Sequence, residues 1–567
     1  MAAQLADGSA VALDSALQDL QRSRARWAAL AVEEKARLLQ RLLGDLHAVA
    51  GEWAGAAAGA KGAEPGSAAA GEEWITFAFL LKAVAMLHRS LQDVARCGRP
   101  RIPGPIRPRG IDQAIVQVFP QTFSDRVLFP GLASEIWTEP GVGVKEVTEE
   151  QAAIYRRPAG EGRTALVLGA GNVSILGACD VLDKLFCDGA VVVLKTHPVT
   201  DHLTPLLERG LSALIEPGFL RIVRGGAAEG SYLAGHPLVD ELHVTGSERT
   251  HDAIVFGPGE EGWRRKAARQ PAIAKRFTCE LGSVSPVIVV PGPWTPADLR
   301  YQAAHLAGTL VNNAGFNCLS TRVIVQHARW NLRDRLLDAL REVLSRTPSR
   351  PAWYPGARET YARFVSAHPE AERFGDAARG RLPWTLIPSV DANRRDDICF
   401  RTEGFCSLFA ETPIDAANVP VFLDAAVRFA NGSLWGSLTC TLLVHPVSLR
   451  DPEVAAAVER AAADLCYGTV GLNVWGASNF VTMAGSWGAF PGHPSHDIQS
   501  GSGTVHNFLM IPRPQKTVVR GPFRQAPKPL VFPGNRAVLP VGRRLVDFYA
   551  RPSPAKLAGI VLAALRG

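Results

Sequence analysis

At 567 residues the chain exceeds one ordinary hydrophobic core, and its length suits roughly two to four domains. Hydrophobic residues at 47% and charged residues at 20% exclude a disordered or fibrous chain. The formal charge of +7 comes from 61 basic and 54 acidic side chains spread along the chain, which suits small anionic ligands and argues against nucleic acid as a partner.

The opening residues lack a basic segment followed by an apolar one, so no secretory leader is expected and a cytoplasmic location is the default. Residues 12–50 place Leu38, Leu39, Leu42 and Leu46 on one helical stripe. In the Ala/Gly-rich stretch 55–71, Gly59 and Lys61 loosely resemble a phosphate loop, but the GK[ST] ending and a preceding strand are missing. A flexible connection is expected there. Residues 74–97 return to helix, and the prolines of "RCGRPRIPGPIRPRG" then break regular structure. From 163 the chain alternates: "RTALVLGA" a strand, "GNVSILGACDVLDKLF" a helix, "AVVVLKT" a strand, and so on through "DELHVTG". Such alternation predicts parallel crossovers in a doubly wound sheet, with ligands at the carboxyl ends of its strands. A second series from 285, "SPVIVV", "PADLRYQAAHLAGTLVNNAG" and "TRVIVQ", predicts a second α/β domain. Nine cysteines without a CxxC pair suggest neither a disulfide framework nor a zinc site. "HPSH" and the pair His197 and His202 lack partners at ligand spacing, so no metal is expected. No run reaches the roughly 18 apolar residues of a membrane span, and the final "KLAGIVLAALRG" reads as a docking helix.

Three stretches carry chemistry. "LVLGAGNVSILG" offers Gly169 and Gly171 at the first two positions of a dinucleotide fingerprint, with Ser174 at the third. The following strand ends in Lys195 where an acidic residue would hold a ribose; its ammonium can serve a hydroxyl or a 2'-phosphate, or simply be solvated. "RFTCELGSVSPVIVV" sets Glu280 at a strand end, and "NNAGFNCLSTR" puts the thiol of Cys318 at a helix-to-strand junction. A thiol with its ordinary pKa of about 8.5 is only a few per cent ionised at neutral pH, so a nearby carboxylate could serve as its base or activate water. Taken singly, each residue could also be plain packing or solvated surface.

Together these stretches resemble the aldehyde dehydrogenase superfamily from about residue 12 to about 510. Glu280, Leu281 and Gly282 resemble its general-base motif, and Gly315-x-x-Cys318 its nucleophile motif. The resemblance implies Asn172 as oxyanion amide, Lys195 on the adenosine ribose, Gly246 and Ser247 at the pyrophosphate, and Glu403 with Phe405 at the nicotinamide ribose. It implies NAD or NADP as cofactor and oxidation of an aldehyde to a carboxylic acid through a cysteine thiohemiacetal and thioester. Departures are Phe316 in place of a common glutamine, Ser283 after "ELG", His251 for a glycine, and Pro198 where NAD-preferring members often carry a glutamate. The last permits NADP. "GNVS" is also similar to a motif of the fatty acyl-CoA reductase branch, which makes CoA acylation the alternative; a catalytically silent scaffold is a third reading.

The implied architecture has a Rossmann-like, doubly wound α/β cofactor domain (1–110 and 158–278), a catalytic domain (279–499), and a β-rich oligomerisation arm with a C-terminal extension (111–157 and 500–567). In relatives the arm extends a neighbour's sheet, so a homodimer or homotetramer is expected. Trp435, Trp475, Phe480 and Trp487 could line an aldehyde entrance or be core. The residues after "RPQKTVV" exceed the usual family ending.

Overall fold

The computed structural model describes residues 7–158, 160–378 and 380–567. The first six residues, on which the leader reading partly rests, lie outside that part.

Three helices open the chain: α1 (Asp7–Ala29), α2 (Val32–Ala60) and α3 (Ala68–Cys97). Leu39, Leu42, Leu46, Val49 and Trp53 recur at three- and four-residue intervals on α2 and are buried. Alanine is the best helix former, so α2 runs on through the Ala-rich stretch to Ala60. The flexible connection expected over 55–71 is therefore the end of one helix, a turn and the start of the next. Ser67 starts α3 by accepting a hydrogen bond from the Ala70 N–H at 3.1 Å. By length and composition α3 could cross a membrane, but 67% of its apolar window is buried inside the molecule.

After α3 come three antiparallel strands, β1 (Ile106–Arg109), β2 (Gln113–Phe119) and β3 (Ala133–Thr138). The predicted alternation then appears as β4 (Arg163–Leu168), β5 (Ala190–Lys195), β6 (Leu220–Val223), β7 (Glu241–Thr245) and β8 (Arg276–Glu280). These five pair in parallel in the order β8-β7-β4-β5-β6, and the short strand Gly501–Ser502 closes the β8 edge antiparallel. Every residue of β5 is buried, as a strand covered on both faces requires. Strand order reverses at β4, leaving a crevice above the carboxyl ends of β4 and β7.

A second sheet of eleven strands contains β9 (Ser285–Val289) and β10 (Thr321–His327), which pair in parallel with each other and with Thr439–Leu443 and Leu408–Ile414. It also contains β1, β2 and β3. They join it through Pro514–Arg520, which pairs antiparallel with β3 and parallel with Thr469–Leu472. The arm strands thus continue the second sheet within the chain. Lys516 fixes this arrangement: it is buried and donates to the carbonyls of Ala463 and Leu465, at 2.7 and 2.6 Å, where the helix Pro452–Asp464 ends.

The C-terminal extension is helical at its end, with Val538–Ala550 and Pro554–Ala564. The first of these helices packs on α3, so close that a Cβ on Gly71 would lie 2.5 Å from the Leu539 nitrogen. The extension therefore joins the N-terminal helices, apart from the arm with which it was grouped.

Candidate active site

Cys318 is positioned by a strained turn. The helix Pro296–Val311 ends, and Asn313, Ala314 and Gly315 follow with φ of 51°, 58° and 84°. Such left-handed backbone is costly for non-glycine residues and persists only where the surroundings enforce it. Those surroundings are identifiable. The Asn313 amide donates to the carbonyls of Phe316 at 2.8 Å and Asn172 at 2.9 Å, and its own oxygen accepts from the Lys61 ammonium at 2.9 Å. Gly315 must be glycine for a second reason: a Cβ there would lie 2.5 Å from the Cys406 carbonyl oxygen. Buried Arg322 ties the turn down from beneath, donating to the Gly315 and Cys406 carbonyls at 2.7 and 2.9 Å.

Glu280 ends β8 and lines the same cavity as Cys318, near enough for each group to shift the other's titration, while the thiol itself points to Asn317 Oδ1 at 3.9 Å. Burial pushes the Glu280 carboxyl up to about 7, against the pull of hydrogen bonds from Cys318 and Trp487. Its Oε1 is buried without a partner among the described residues. Burial, Glu280 and Glu403 all push the Cys318 thiol well above its ordinary range. The thiol is therefore held neutral at rest, and its proton needs a base; Glu280 is the carboxylate in place to take it.

Leu281 and Gly282 lie in a tight crossing behind this pair. The Leu281 N–H donates to the Ser500 carbonyl at 2.8 Å, and the Ser500 hydroxyl donates to the Gly282 carbonyl at 2.8 Å. A Cβ on Gly282 would collide with the Glu403 carboxylate. Glu403 is pushed up to about 7 by burial, less the pull of Arg322, and its Oε1 also lacks a partner among the described residues. Phe405 is half-buried, its ring 5.1 Å from Tyr354 and 5.9 Å from Phe316.

The remaining expected residues distribute as follows. Lys195 closes β5 and donates no side-chain hydrogen bond among the described residues. Gly246 and Ser247 follow β7, and Ser247 caps the helix Glu248–Val255 by accepting from the Thr250 N–H. Both lie at carboxyl ends of the first sheet, flanking the crevice, and the partnerless Glu403 oxygen supplies an acceptor across it; the set fits a nicotinamide dinucleotide. Asn172 is buried, but its amide donates to the Phe316 carbonyl at 3.3 Å and it does not line the cavity described next. Trp475, Phe480 and Trp487 stand around Cys318, whereas Trp435 packs in the second domain's core.

Cys318 and Glu280 form the floor of a cavity of about 350 Å3. Its other wall, which the motifs did not point to, is built by Lys61, Glu73 and the C-terminal helices. Lys61 and Glu73 form a buried ion pair at 2.7 Å, and Ser174 donates to the second Glu73 oxygen at 3.2 Å. The one signal of this wall in the sequence is Lys61 itself, a lone cation in an Ala/Gly run.

Away from this cavity, His368, Asp397 and Cys399 approach one another, but their bonding needs are met locally. Asp397 caps the helix Ile398–Arg401, and His368 is held by Asp397 at 3.0 Å and by Glu370 at 2.8 Å.

Comparison with known proteins gives likenesses of sequence and fold. The family model described as "Aldehyde dehydrogenase family" matches residues 133–359. N-succinylglutamate 5-semialdehyde dehydrogenase of Sphingopyxis alaskensis is 32% identical over 152 residues, 27% of this chain and 27% of that protein. The 4-trimethylaminobutyraldehyde dehydrogenase of Oryzias latipes is 26% identical over 337 residues, 55% of this chain and 59% of that protein. The chain thus spans about a quarter to three fifths of the length of these curated relatives. Among solved structures, lactaldehyde dehydrogenase from Escherichia coli superposes with a TM-score of 0.60 at 19% identity, covering 91% of each chain. An NAD-dependent aldehyde dehydrogenase from Sinorhizobium meliloti gives 0.59 at 18%, covering 91% of this chain and 87% of that one.

Proposed function

The chain belongs to the aldehyde dehydrogenase superfamily, and from that premise we propose that it oxidises an aldehyde to a carboxylic acid with NAD or NADP. The observation that carries the reading is the meeting of Cys318 and Glu280 on one cavity floor, with a Glu280 oxygen left free.

Glu280, once ionised, removes the proton of Cys318, and the sulfur attacks the aldehyde carbon to form a thiohemiacetal. The Cys318 backbone N–H, turned toward its own sulfur, is the donor in place for the new oxyanion. The Asn172 amide, the second donor that the resemblance implies, is occupied at rest by the Phe316 carbonyl and would have to leave it to serve the oxyanion. A bound nicotinamide dinucleotide supplies the acceptor for the hydride that leaves the carbon. After Glu280 has passed the thiol's proton to solvent, it can deprotonate a water that attacks the thioester carbonyl; the C–S bond then breaks, the carboxylic acid leaves, and Cys318 departs as thiolate and regains a proton. Lys195 and Glu403 position the two ribose ends, and Gly246 and Ser247 the pyrophosphate.

Incubation with NAD or NADP and a panel of aldehydes tests this. Reduced cofactor and free acid are expected without added CoA, and Cys318→Ser should abolish both. Strict dependence on CoA would move the reading to acyl-CoA formation. Absence of any oxidation, with Cys318 inert to alkylation, would leave only a scaffold.

A further inference from the structure

The helices Val538–Ala550 and Pro554–Ala564 contribute to neither sheet. They nonetheless wall the cavity above Cys318, with Val541 and Leu545 from the first and Ile560 and Val561 from the second. Facing them are Ile75 and Phe79 of α3, and Phe480 closes the side nearest the thiol.

This wall is fixed to α3. A Cβ on Gly542 would lie 2.9 Å from the Trp74 Cβ, and one on Gly71 would strike the Leu539 backbone, so glycine at both positions lets the helices touch. Other than Glu280 beside the thiol, the charged groups inside the cavity are already matched. Lys61 is paired with Glu73 at 2.7 Å, and Glu72 with Arg350 at 2.8 Å. His305 is packed against Phe532 and hydrogen-bonded to Gln302, and burial, which lowers its pKa to about 4, keeps its ring neutral. Lys528 is an exposed cation and lies at the rim. Apart from Glu280, which the reaction itself uses, no unmatched charge among the described residues inside awaits a carboxylate or an ammonium on the substrate, while apolar side chains continue from the thiol to the last helix.

We propose that the C-terminal helices are the specificity wall for an uncharged, elongated apolar aldehyde, whose tail runs from Cys318 between α3 and Val538–Ala550 toward Pro554–Ala564. This rests on Cys318 being the nucleophile of the proposed oxidation. Each methylene sheathed there should raise kcat/KM by about fourfold until the cavity is full.

The test measures kcat/KM for propanal and decanal in the wild type and in Leu545→Trp and Val561→Trp. The wild type should favour decanal by at least about tenfold, and each tryptophan should cut the decanal-to-propanal ratio by about tenfold or more. A ratio is insensitive to partial misfolding, and the two variants lie on different helices. A wild type without preference for decanal, or ratios untouched by both substitutions, would overturn the proposal. A second readout does not need turnover: alkylation of Cys318 by iodoacetamide, read on the Cys318 peptide because Cys97 and Cys466 are exposed. Decan-1-ol should protect it in the wild type and not in the variants, and propan-1-ol should protect it in none. If no aldehyde is oxidised yet decan-1-ol protects, the oxidation reading fails and the wall stands; no protection overturns the wall.

Discussion

Lys61 and Asn313 meet at 2.9 Å beneath the left-handed turn that carries Cys318, and the same ammonium holds the Asn172 carbonyl at 3.1 Å and Glu73 at 2.7 Å. One buried cation thus links α2, α3 and the loops after β4 and before β10. Replacing it by Lys61→Met would leave the Glu73 carboxylate buried and uncompensated, which typically costs about 3–5 kcal/mol. Denaturant unfolding should show that loss, and Lys61→Met with Glu73→Gln should recover a good part of it. Turnover should fall in the single variant beyond what the unfolded fraction explains, because Asn313 and Asn172 both lose their anchor. A single variant as stable as wild type would remove Lys61 from this role.

The carboxyl of Glu280, raised to about 7 by burial, makes two pH effects follow. As the base it must be ionised, so kcat/KM should rise as pH increases through about 7. On stability the sign runs the other way. Between its ordinary value of 4.5 and about 7 the folded protein keeps a proton that the unfolded chain has lost, so this group's contribution falls as pH rises across that window. The full effect is on the order of 3 kcal/mol. Glu403 titrates in the same direction, so the difference between wild type and Glu280→Gln isolates the contribution. Thermal midpoints of the two proteins should diverge from pH 5 to 7, with Glu280→Gln gaining. Parallel curves, with a flat rate profile near neutrality, would refute the assignment.

Glu280 and Cys318 were legible in the sequence as short motifs: Glu280 closes β8 of the first sheet and Cys318 sits just before the amino end of β10 in the second, so only the resemblance of both motifs to one family joined them. The crevice residues Lys195, Gly246 and Ser247 were legible for the same reason. Lys61 was not. Its burial depends on Glu73 and Asn313, contacts that local composition does not encode, and its Ala/Gly surroundings read as a loop when they are a helix packed close to α3. The C-terminal wall was hidden because it rests on matched glycines, Gly71 and Gly542, hundreds of residues apart. The Asn172 amide, expected as an oxyanion donor, instead finds the Phe316 carbonyl as its partner at rest, which the strained turn sets and the sequence does not reveal.

Nucleotide preference turns on what surrounds Lys195. Pro198 removes one carboxylate from this region, but Glu229 and Asp201 lie near enough to act on the Lys195 charge, offsetting part of the lowering that burial causes. Glu229 caps its helix by accepting from the Gly226 N–H at 2.7 Å, which Gln can also do. A 2'-phosphate would meet this negative field, so NAD should be preferred over NADP. Glu229→Gln should shift the ratio of kcat/KM toward NADP by about fivefold at low salt, shrinking as salt screens the exposed carboxylate. An unchanged ratio would place the nucleotide's adenosine end away from Glu229.

Pro514–Arg520 pairs with Thr469–Leu472 and β3 of the same chain, so this junction between the arm and the second sheet lies within one chain. Thr517 and Val518 are fully buried in that pairing, and Lys516 fills the end of the Pro452–Asp464 helix beneath it. Stability is then intramolecular, and the thermal midpoint should not change over about a hundredfold range of protein concentration. Lys516→Met should lower that midpoint equally at every concentration, since it removes a cation from the carbonyls of one chain's own helix, an interaction worth about 1–2 kcal/mol in a buried setting. An assembly that exchanged this strand between copies would behave differently: its midpoint would climb with concentration, and Lys516→Met would steepen the climb.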